Sequence, residues 1–287
     1  MKQDEVLKQL NRSGFPFQLR VEEEVRGSMP RHHWSVASRE HPWTNPETGA
    51  AGFADLVLGH EVNVTFRLVI ECKRMKADDE RQLRWLFLLP GEAGQSTNIA
   101  SCLEVEGAAR DVEWRDIRIW DDVLVTPASL ESEFCILPND EQRKQSILES
   151  LAAELLESVE GLAQEEVRVA QSSGGNGHVR RLVFPVIVTN AEIMACSFLP
   201  QDISIRHGTL DLDHASVTSV PFIRFRKSLE SNFPEGRFHD LKGAQRARQR
   251  TVFVVNAEAM SEFLTGWDFK ARDKFDGFAI EKRRLWG

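Results

Sequence analysis

An apolar run that ends in an acid and a lysine, two residues apart, most constrains what this chain can form. Residues 65–73 read TFRLVIECK, and their β-branched and large apolar side chains predict a buried strand. Successive strand side chains point to opposite faces, so Glu71 and Lys73 are expected to share a face that Cys72 does not. A strand end of this kind is either a solvated edge or part of an active site.

A second predicted strand, Gly52–Leu58, carries a lone acid, Asp55, shortly before this run. On neighbouring strands, Asp55 and Glu71 form a candidate pair of divalent-metal ligands, with Lys73 beside them. The alternative is an exposed ion pair between Glu71 and Lys73, worth about 0–1 kcal/mol. Two other acid-x-Lys triplets near the C-terminus do not close an apolar strand that follows an acid-bearing one. The position of Glu71, rather than the triplet itself, therefore singles it out.

Helical periodicity and turn signals place these strands within a longer order of elements. The stripe of Phe17, Val21 and Val25 predicts a helix from Pro16 to Arg26, which Gly27-Ser28-Met29-Pro30 ends. The other predicted elements are a helix over 2–12, a strand over Arg31–Arg39, a turn at Pro46–Gly49, a long helix from Asn139 or Asp140 to Ala170, buried strands over Arg181–Thr189 and 191–198, strands over 202–205, 219–226 and 250–255, and a short helix over 258–264.

The composition is that of a globular protein, with 287 residues, 41% hydrophobic content and a net charge of −8. No apolar run is long enough to span a membrane, so a cytoplasmic location is expected. The four scattered cysteines are expected to be buried thiols in a reducing compartment. Basic residues outnumber acids from Pro221 onward, which offers a candidate phosphate-binding surface on an acidic body.

The predicted order, α-β-β-β, an insertion, then α-β, resembles the core of the PD-(D/E)xK nuclease superfamily. Asp55 falls on the second strand and Glu71-x-Lys73 ends the third, over roughly residues 14–73 and 140–198. The residue before Asp55 is Ala54, where the superfamily motif has proline. The resemblance implies an α/β fold with a restriction-endonuclease-like mixed β-sheet core flanked by helices.

The same resemblance implies a domain organisation and a site. We expect a core over 1–200 with an insertion at about 91–138, and a β-rich C-terminal extension over 201–287 packed on that core. Lys73 would be the catalytic lysine, beside Mg²⁺ or Mn²⁺. The implied metal ligands are Asp55, Glu71, the backbone carbonyl of Cys72, and an acid from the second helix, which is Glu22 or one of its neighbours Glu23 and Glu24.

The expected partner is DNA, and its cleavage by a metal-activated water would suit these residue types. A homodimer or an operon partner protein is left open, and a role in prokaryotic restriction, defence or DNA processing is implied by the resemblance alone. One alternative is a catalytically inactive module of the same fold that binds nucleic acid or a partner protein, and another is an enzyme acting on RNA or nucleotides. The candidate nucleic-acid contacts, with a plain solvated surface as the alternative, are Arg224, Arg226, Lys227, Lys242, Arg246 and Arg248.

Overall fold

The computed structural model describes residues 3–61, 65–75, 84–91, 100–108, 111–119, 126–137, 146–172, 178–229, 241, 245 and 249–267. Within these ranges the protein is a mixed α/β structure in which multi-stranded mixed sheets are flanked by four α-helices. The helices are α1 (Gln3–Arg12), α2 (Phe15–His32), α3 (Ile147–Ser172) and α4 (Met260–Thr265). None of the described helices is long and apolar enough to cross a membrane.

Fifteen strands accompany these helices in the described ranges. They are β1 (Ser35–Thr44), β2 (Ala51–Glu61), β3 (Thr65–Lys73), β4 (Arg84–Pro90), β5 (Ala100–Ala108), β6 (Glu113–Ile119), β7 (Glu131–Ser132), β8 (Phe134–Ile136), β9 (His178–Thr189), β10 (Glu192–Phe198), β11 (Ile203–Ser204), β12 (Thr209–Leu210), β13 (Ala215–Ser219), β14 (Phe222–Ser228) and β15 (Gln249–Asn256).

The main sheet has the strand order β1-β2-β3-β9-β15-β14-β7, and β5 and β6 join it beside β9. Strands β1, β2 and β3 pair antiparallel, whereas β3 pairs parallel with β9 from Thr65↔Arg181 to Lys73↔Thr189. The other edge of β9 pairs with two strands: β5 pairs antiparallel with its first half, and β15 pairs parallel with residues 186–189. Strands from the expected insertion and from the chain after residue 200 therefore contribute to the same sheet as β3.

The two faces of this sheet are covered by different helices. One face packs Val21 and Val25 of α2, and Phe263 of α4, in a buried cluster with Leu56, Ile70 and Phe184. The other face buries the apolar stripe of α3, including Leu148, Leu155 and Val159, together with Trp85 and Phe87 of a second sheet. That second sheet has the order β13-β10-β4-β8. The predicted amphipathic pattern of α3 thus corresponds to core packing.

Helix α3 crosses β1 at a glycine. A Cβ at Gly161 would lie 3.2 Å from the Thr44 carbonyl oxygen and 3.4 Å from the Trp43 Cβ. Most contacts between Cβ atoms and their neighbours are wider than 3.4 Å, so this crossing leaves no room for a larger side chain. Trp43 is buried beside it with an exposed fraction of 7%.

The predicted end of α2 and the predicted start of β1 are wrong. Gly27-Ser28-Met29-Pro30 does not end α2, which continues to His32. Val25, Ser28 and His32 are all buried, so packing of these last turns on the core outweighs the helix-breaking tendency of Gly27 and Pro30. Because α2 takes up Arg31 and His32, the following strand begins at Ser35 rather than at Arg31.

Strand β1 also runs further than predicted, because it keeps pairing with β2 until Thr44↔Ala51. The predicted turn at Pro46–Gly49 is confirmed, since the Gly49 N–H donates to the Asn45 carbonyl at 2.8 Å and Gly49 has a φ of 75°. The predicted strands around Asp55 and Glu71 are also confirmed, as β2 and β3. The predicted start of the long helix at Asn139 or Asp140 lies outside the described residues.

Candidate active site

Strands β2 and β3 bring Asp55 and Glu71 to the same end of the sheet. Leu56 and Ile70 are Cα partners in the antiparallel pairing, and Asp55 and Glu71 are the next residues along their strands. Both acids are only partly exposed. The alternation of β3 places Ile70 and Cys72 in the α2 face of the core, and Val69 in the α3 face. Glu71 and Lys73 therefore share the α3 face, as predicted from their spacing.

Asp55 is held at this position by the neighbouring strand. Its Oδ2 accepts a hydrogen bond from the Cys72 backbone N–H at 2.7 Å. Burial raises the pKa of Asp55 to about 6, and the nearby charge of Glu40 adds to this effect. The hydrogen bond from Cys72 and the charge of Lys73 act in the opposite direction, but they do not outweigh burial.

The environment of Glu71 is less favourable for a negative charge than that of Asp55. Burial raises the pKa of Glu71 to about 8, helped first by Asp55, then by Glu154 on α3, and to a smaller extent by Glu40. Lys73 opposes the increase. These electrostatic effects define an acidic cluster of Glu40, Asp55, Glu71 and Glu154, to which Lys73 adds a positive charge. Acids whose pKa values are raised by burial and neighbouring charges are candidates for a functional site.

Two members of this environment, Glu40 and Gln18, were not predicted from the sequence. Glu40 lies in the part of β1 that continues beyond the predicted end at Arg39. Its φ of 46° is a left-handed conformation, which is uncommon for a residue other than glycine. Gln18 of α2 is buried, and its Nε2 donates to Glu40 Oε1 at 2.5 Å and to the Asp55 carbonyl oxygen at 2.9 Å. Because the predicted strand ends at Arg39, the sequence pattern leaves Glu40 outside β1 and does not place it beside Asp55.

The α2 acid that was predicted as a ligand has other partners. Glu22 is buried, and its Oε1 lies 2.7 Å from the guanidinium of Arg26 and 3.2 Å from that of Arg39. The α2 side chain that contacts the Asp55 segment is instead Gln18, one turn earlier. Metal binding by Glu22 stays a prediction, and it would require the carboxylate to leave these two arginines.

The thiol and the backbone of Cys72 lie in different environments. Its thiol is buried in the α2 face of the sheet, and burial raises the pKa of that thiol, with further contributions from Asp55 and Glu71. Its backbone lies between Glu71 and Lys73, where the N–H already serves Asp55. The backbone carbonyl remains the predicted ligand, whereas the buried thiol is directed away from the acids.

The three described basic residues among the predicted nucleic-acid contacts all have protein partners. Arg224 is completely buried, with hydrogen bonds to Thr126 Oγ1 at 2.6 Å and the Pro127 carbonyl at 2.9 Å. Arg226 pairs with Glu131 at 3.2 Å. Lys227 pairs with Glu149. Lys242, Arg246 and Arg248 lie outside the described residues.

A divalent cation such as Mg²⁺ needs oxygen ligands, and the acidic cluster supplies carboxylates. In the described ranges, no group of three or more His, Cys, Asp or Glu side chains is arranged to hold a metal ion. Mg²⁺ is, however, commonly bound by one or two carboxylates with water completing its shell. Asp55 and Glu71 offer two such groups, and burial first, then neighbouring acids, raises the pKa of each; a bound cation would favour the ionised forms. The donor set fits a hydrated Mg²⁺ or Mn²⁺ better than a fully protein-enclosed ion.

Comparison with known proteins does not assign a family to this arrangement. No protein-family model, curated protein or solved structure matches the chain.

Proposed function

We propose that this protein is a metal-dependent nuclease that hydrolyses phosphodiester bonds in DNA. The observation that carries this proposal is the placement of Asp55 and Glu71 side by side on β2 and β3, with Lys73 on the same face of β3 as Glu71. Asp55, Glu71 and the Cys72 backbone carbonyl would hold Mg²⁺ or Mn²⁺. A role in prokaryotic restriction, defence or DNA processing belongs to the same proposal.

The strand pairing supports a restriction-endonuclease-like core within this proposal. Helix α2 is followed by the antiparallel strands β1, β2 and β3, and β9 pairs parallel with β3 after the long helix α3. The two helices lie on opposite faces of the sheet. This is the order expected from the sequence resemblance, with the acids at the end of the sheet where β3 finishes.

The chain's own residues have separate tasks in the proposed hydrolysis. The cation, when bound, lowers the pKa of a water and withdraws charge from the phosphoryl oxygens. The Cys72 N–H orients Asp55 by fixing one carboxylate oxygen, which leaves the other available as a ligand. Lys73 orients the attacking water and offsets negative charge that develops on the phosphate in the transition state. The attacking water would give up a proton to solvent as its oxygen bonds to phosphorus, the bond to the leaving deoxyribose oxygen would break, and that oxygen would take up a proton.

Glu71 connects this chemistry to pH. With its pKa raised to about 8, the carboxyl group carries a proton at neutral pH in the absence of a cation. Because a carboxylate ligand has to be ionised, metal binding would release this proton and become tighter as the pH rises toward 8. We therefore expect cleavage at fixed Mg²⁺ to increase between pH 6 and about 8.5, following the titration of Glu71.

The proposal is tested with purified protein and Mg²⁺ or Mn²⁺ on supercoiled plasmid, linear duplex, single-stranded DNA and RNA. Asp55→Asn and Lys73→Ala are expected to reduce cleavage at least 100-fold, the scale seen for the loss of preorganised electrostatic groups. Glu113→Gln and Lys8→Ala serve as matched controls, because both residues are exposed and lie outside the cluster. Cleavage that persists in Asp55→Asn and in Lys73→Ala would overturn the site assignment.

A second candidate function is a module of this fold without catalytic activity, which binds nucleic acid or a partner protein. Two observations favour it: the net charge is −8, and the predicted DNA-contacting residues Arg224, Arg226 and Lys227 already have protein partners. Calorimetric titration with Mn²⁺ separates the candidates. Absence of Mn²⁺ binding, together with retained capture of DNA or a partner, supports the module and contradicts the nuclease.

A further inference from the structure

Glu40 occupies a position on β1 that opposes folding. Its φ of 46° is a left-handed conformation, which glycine adopts freely and other residues rarely adopt. The strand register places Glu40 opposite Asp55, because its two neighbours on β1 pair with Leu56 and Ala54. Like charges that face each other on paired strands destabilise a sheet. A strained acid that faces another acid is typical of a functional position, where the surrounding structure holds it in place.

A buried glutamine holds this acid. Gln18 has an exposed fraction of 6% and lies on the side of α2 that contributes Val21 and Val25 to the core. Its Nε2 donates to Glu40 Oε1 at 2.5 Å and to the Asp55 carbonyl oxygen at 2.9 Å. A side-chain amide has two N–H donors, so one is used on each strand. Gln18 therefore fixes the Glu40 carboxylate relative to the Asp55 segment, which an apolar residue at this core position could not do.

The Glu40 carboxylate faces the proposed cation site with one oxygen available. Its charge contributes to the raised pKa of Asp55 and of Glu71, so it lies within electrostatic range of both proposed ligands. In the part of the chain that the structure describes, Gln18 is the one hydrogen-bond donor to this carboxylate. Because Gln18 engages Oε1, the second oxygen, Oε2, can accept a hydrogen bond from a ligand of the site.

A water molecule bound to the cation suits that oxygen. The described acids do not form a group of three that could hold a metal ion directly. Mg²⁺, however, usually keeps several waters when one or two carboxylates bind it. Groups that hydrogen-bond to metal ligands orient them, and their loss typically weakens metal binding about 10–100-fold. Glu22, the helix acid expected among the metal ligands, is engaged by Arg26 and Arg39, which leaves this role to an acid of β1.

We infer that Glu40, fixed by Gln18, is the third carboxylate of the cation site and acts on the cation through one of its water ligands. Asp55 and Glu71 remain the direct ligands. Glu40 is thus a positioning residue, which orients a water instead of contacting DNA. It has this task only if Asp55 and Glu71 bind a divalent cation, so the assignment rests on the nuclease function proposed above.

Calorimetric titration with Mn²⁺ measures the contribution of Glu40 independently of DNA cleavage. Glu40→Gln keeps the shape of the side chain and an oxygen that accepts from Gln18, but it removes the charge. We expect the affinity for Mn²⁺ to fall about 10–100-fold, and to fall further in Asp55→Asn, which removes a direct ligand. Glu131→Gln is the matched control and should bind Mn²⁺ like the wild type. Glu131 is also a partly buried acid, but it lies on β7, at the opposite end of the strand order from β1.

Thermal unfolding in EDTA separates this role from a structural one. Without a cation, Glu40→Gln removes the repulsion from Asp55, so its melting temperature is expected to equal or exceed that of the wild type. A carboxylate that served only to stabilise the β1–β2 hairpin would instead give a lower melting temperature when replaced. Weaker Mn²⁺ binding that is accompanied by a lower melting temperature in EDTA therefore overturns the assignment.

Gln18→Met tests whether the glutamine acts through Glu40. Methionine is flexible and suits a buried position, but it has no N–H to donate. Mn²⁺ binding is expected to weaken in this variant, because the Glu40 carboxylate is no longer oriented. Adding Gln18→Met to Glu40→Gln should cause no further loss. Losses that add in the double variant would overturn the link between the two residues.

The same titrations distinguish failure of this assignment from failure of the proposed function. A wild type that binds no Mn²⁺ removes the cation site, and with it both the nuclease proposal and the role of Glu40. Binding that is lost in Asp55→Asn but unchanged in Glu40→Gln keeps the proposed site and overturns the role of Glu40 alone. Equal losses in Glu40→Gln and Glu131→Gln also overturn it, since they would report only the change in net charge. A loss in Glu40→Gln as large as in Asp55→Asn overturns the contact through water.

Discussion

Replacing Glu71 with glutamine is expected to stabilise the metal-free protein at alkaline pH. The two side chains have nearly the same shape, but glutamine never acquires the negative charge that burial, Asp55 and Glu154 oppose. In the folded protein the pKa of Glu71 is raised from 4.5 to about 8, so the folded state holds the proton more tightly than the unfolded state does. The stability that this proton provides is fully present below pH 4.5 and is lost as the pH rises through 8.

The size of the effect follows from the same pKa values. At about 1.4 kcal/mol per pH unit, the rise from 4.5 to about 8 corresponds to a ceiling of about 5 kcal/mol above pH 8. Asp55 titrates in the same cluster, and relaxation of water and side chains around Glu71 lowers the realised value. We expect Glu71→Gln to raise the free energy of unfolding by about 1–3 kcal/mol at pH 9 and by much less at pH 5.

Urea denaturation of the wild type, Glu71→Gln and the exposed control Glu113→Gln at pH 5, 7 and 9 measures this difference. Saturating Mn²⁺ adds a second comparison, since a bound ion at about 100 times its Kd adds about 2.7 kcal/mol to the wild type. Glu71→Gln should lose most of that gain. A variant that is less stable than the wild type at pH 9, or a difference that does not change with pH, would refute the electrostatic reasoning for Glu71.

Three further variants probe features outside the acidic cluster. Arg224→Lys is expected to lower the free energy of unfolding by about 2–4 kcal/mol in urea, because a lysine cannot serve the several acceptors around the buried guanidinium. Gly161→Val should cost about 2 kcal/mol by the same assay, since the new side chain meets the Thr44 carbonyl where α3 crosses β1. Burial, and then the charges of His33, His60 and Arg31, lower the pKa of His32 to about 4. The contribution of neutral His32 to the free energy of unfolding is therefore fully present above pH 6.5 and is lost as the pH falls through about 4. His32→Gln should therefore flatten the dependence of unfolding free energy on pH between 6.5 and 4, and an unchanged slope would contradict this assignment.

The pairing of Asp55 with Glu71 could be predicted because its signals are local. Two apolar runs, 52–58 and 65–73, are joined by a short connection. Strands that are adjacent in sequence usually pair in space. Counting residues from the connection between the two predicted strands places Asp55 and Glu71 near the same end of the strand pair. Their positions in β2 and β3 agree with that count. The apolar stripe of α3 could be predicted for the same reason, because a period of 3.6 residues needs no information from elsewhere in the chain.

Glu40, Gln18 and Arg224 could not be placed in this way. Glu40 reaches the cluster only because β1 stays paired with β2 beyond Arg39, and this pairing depends on packing against α3. Arg224 belongs to an alternating pattern that suggests a solvated face of a strand. Instead, β14 lies between β15 and β7, so the distant segment 126–132 covers Arg224 and accepts its hydrogen bonds. Local periodicity cannot report a partner that arrives from a remote part of the chain.

The position of β9 has a consequence for how this protein is made. When a ribosome has synthesised β9, β3 is already available, but β15 has still to be translated. Until Asn256 emerges, the edge formed by residues 186–189 has unpaired backbone groups and apolar side chains. The sheet therefore closes late, through pairings between remote segments that form slowly. A nascent or prematurely terminated chain that ends before Gln249 would present this edge to its neighbours and aggregate, although its entire candidate active site had already been made.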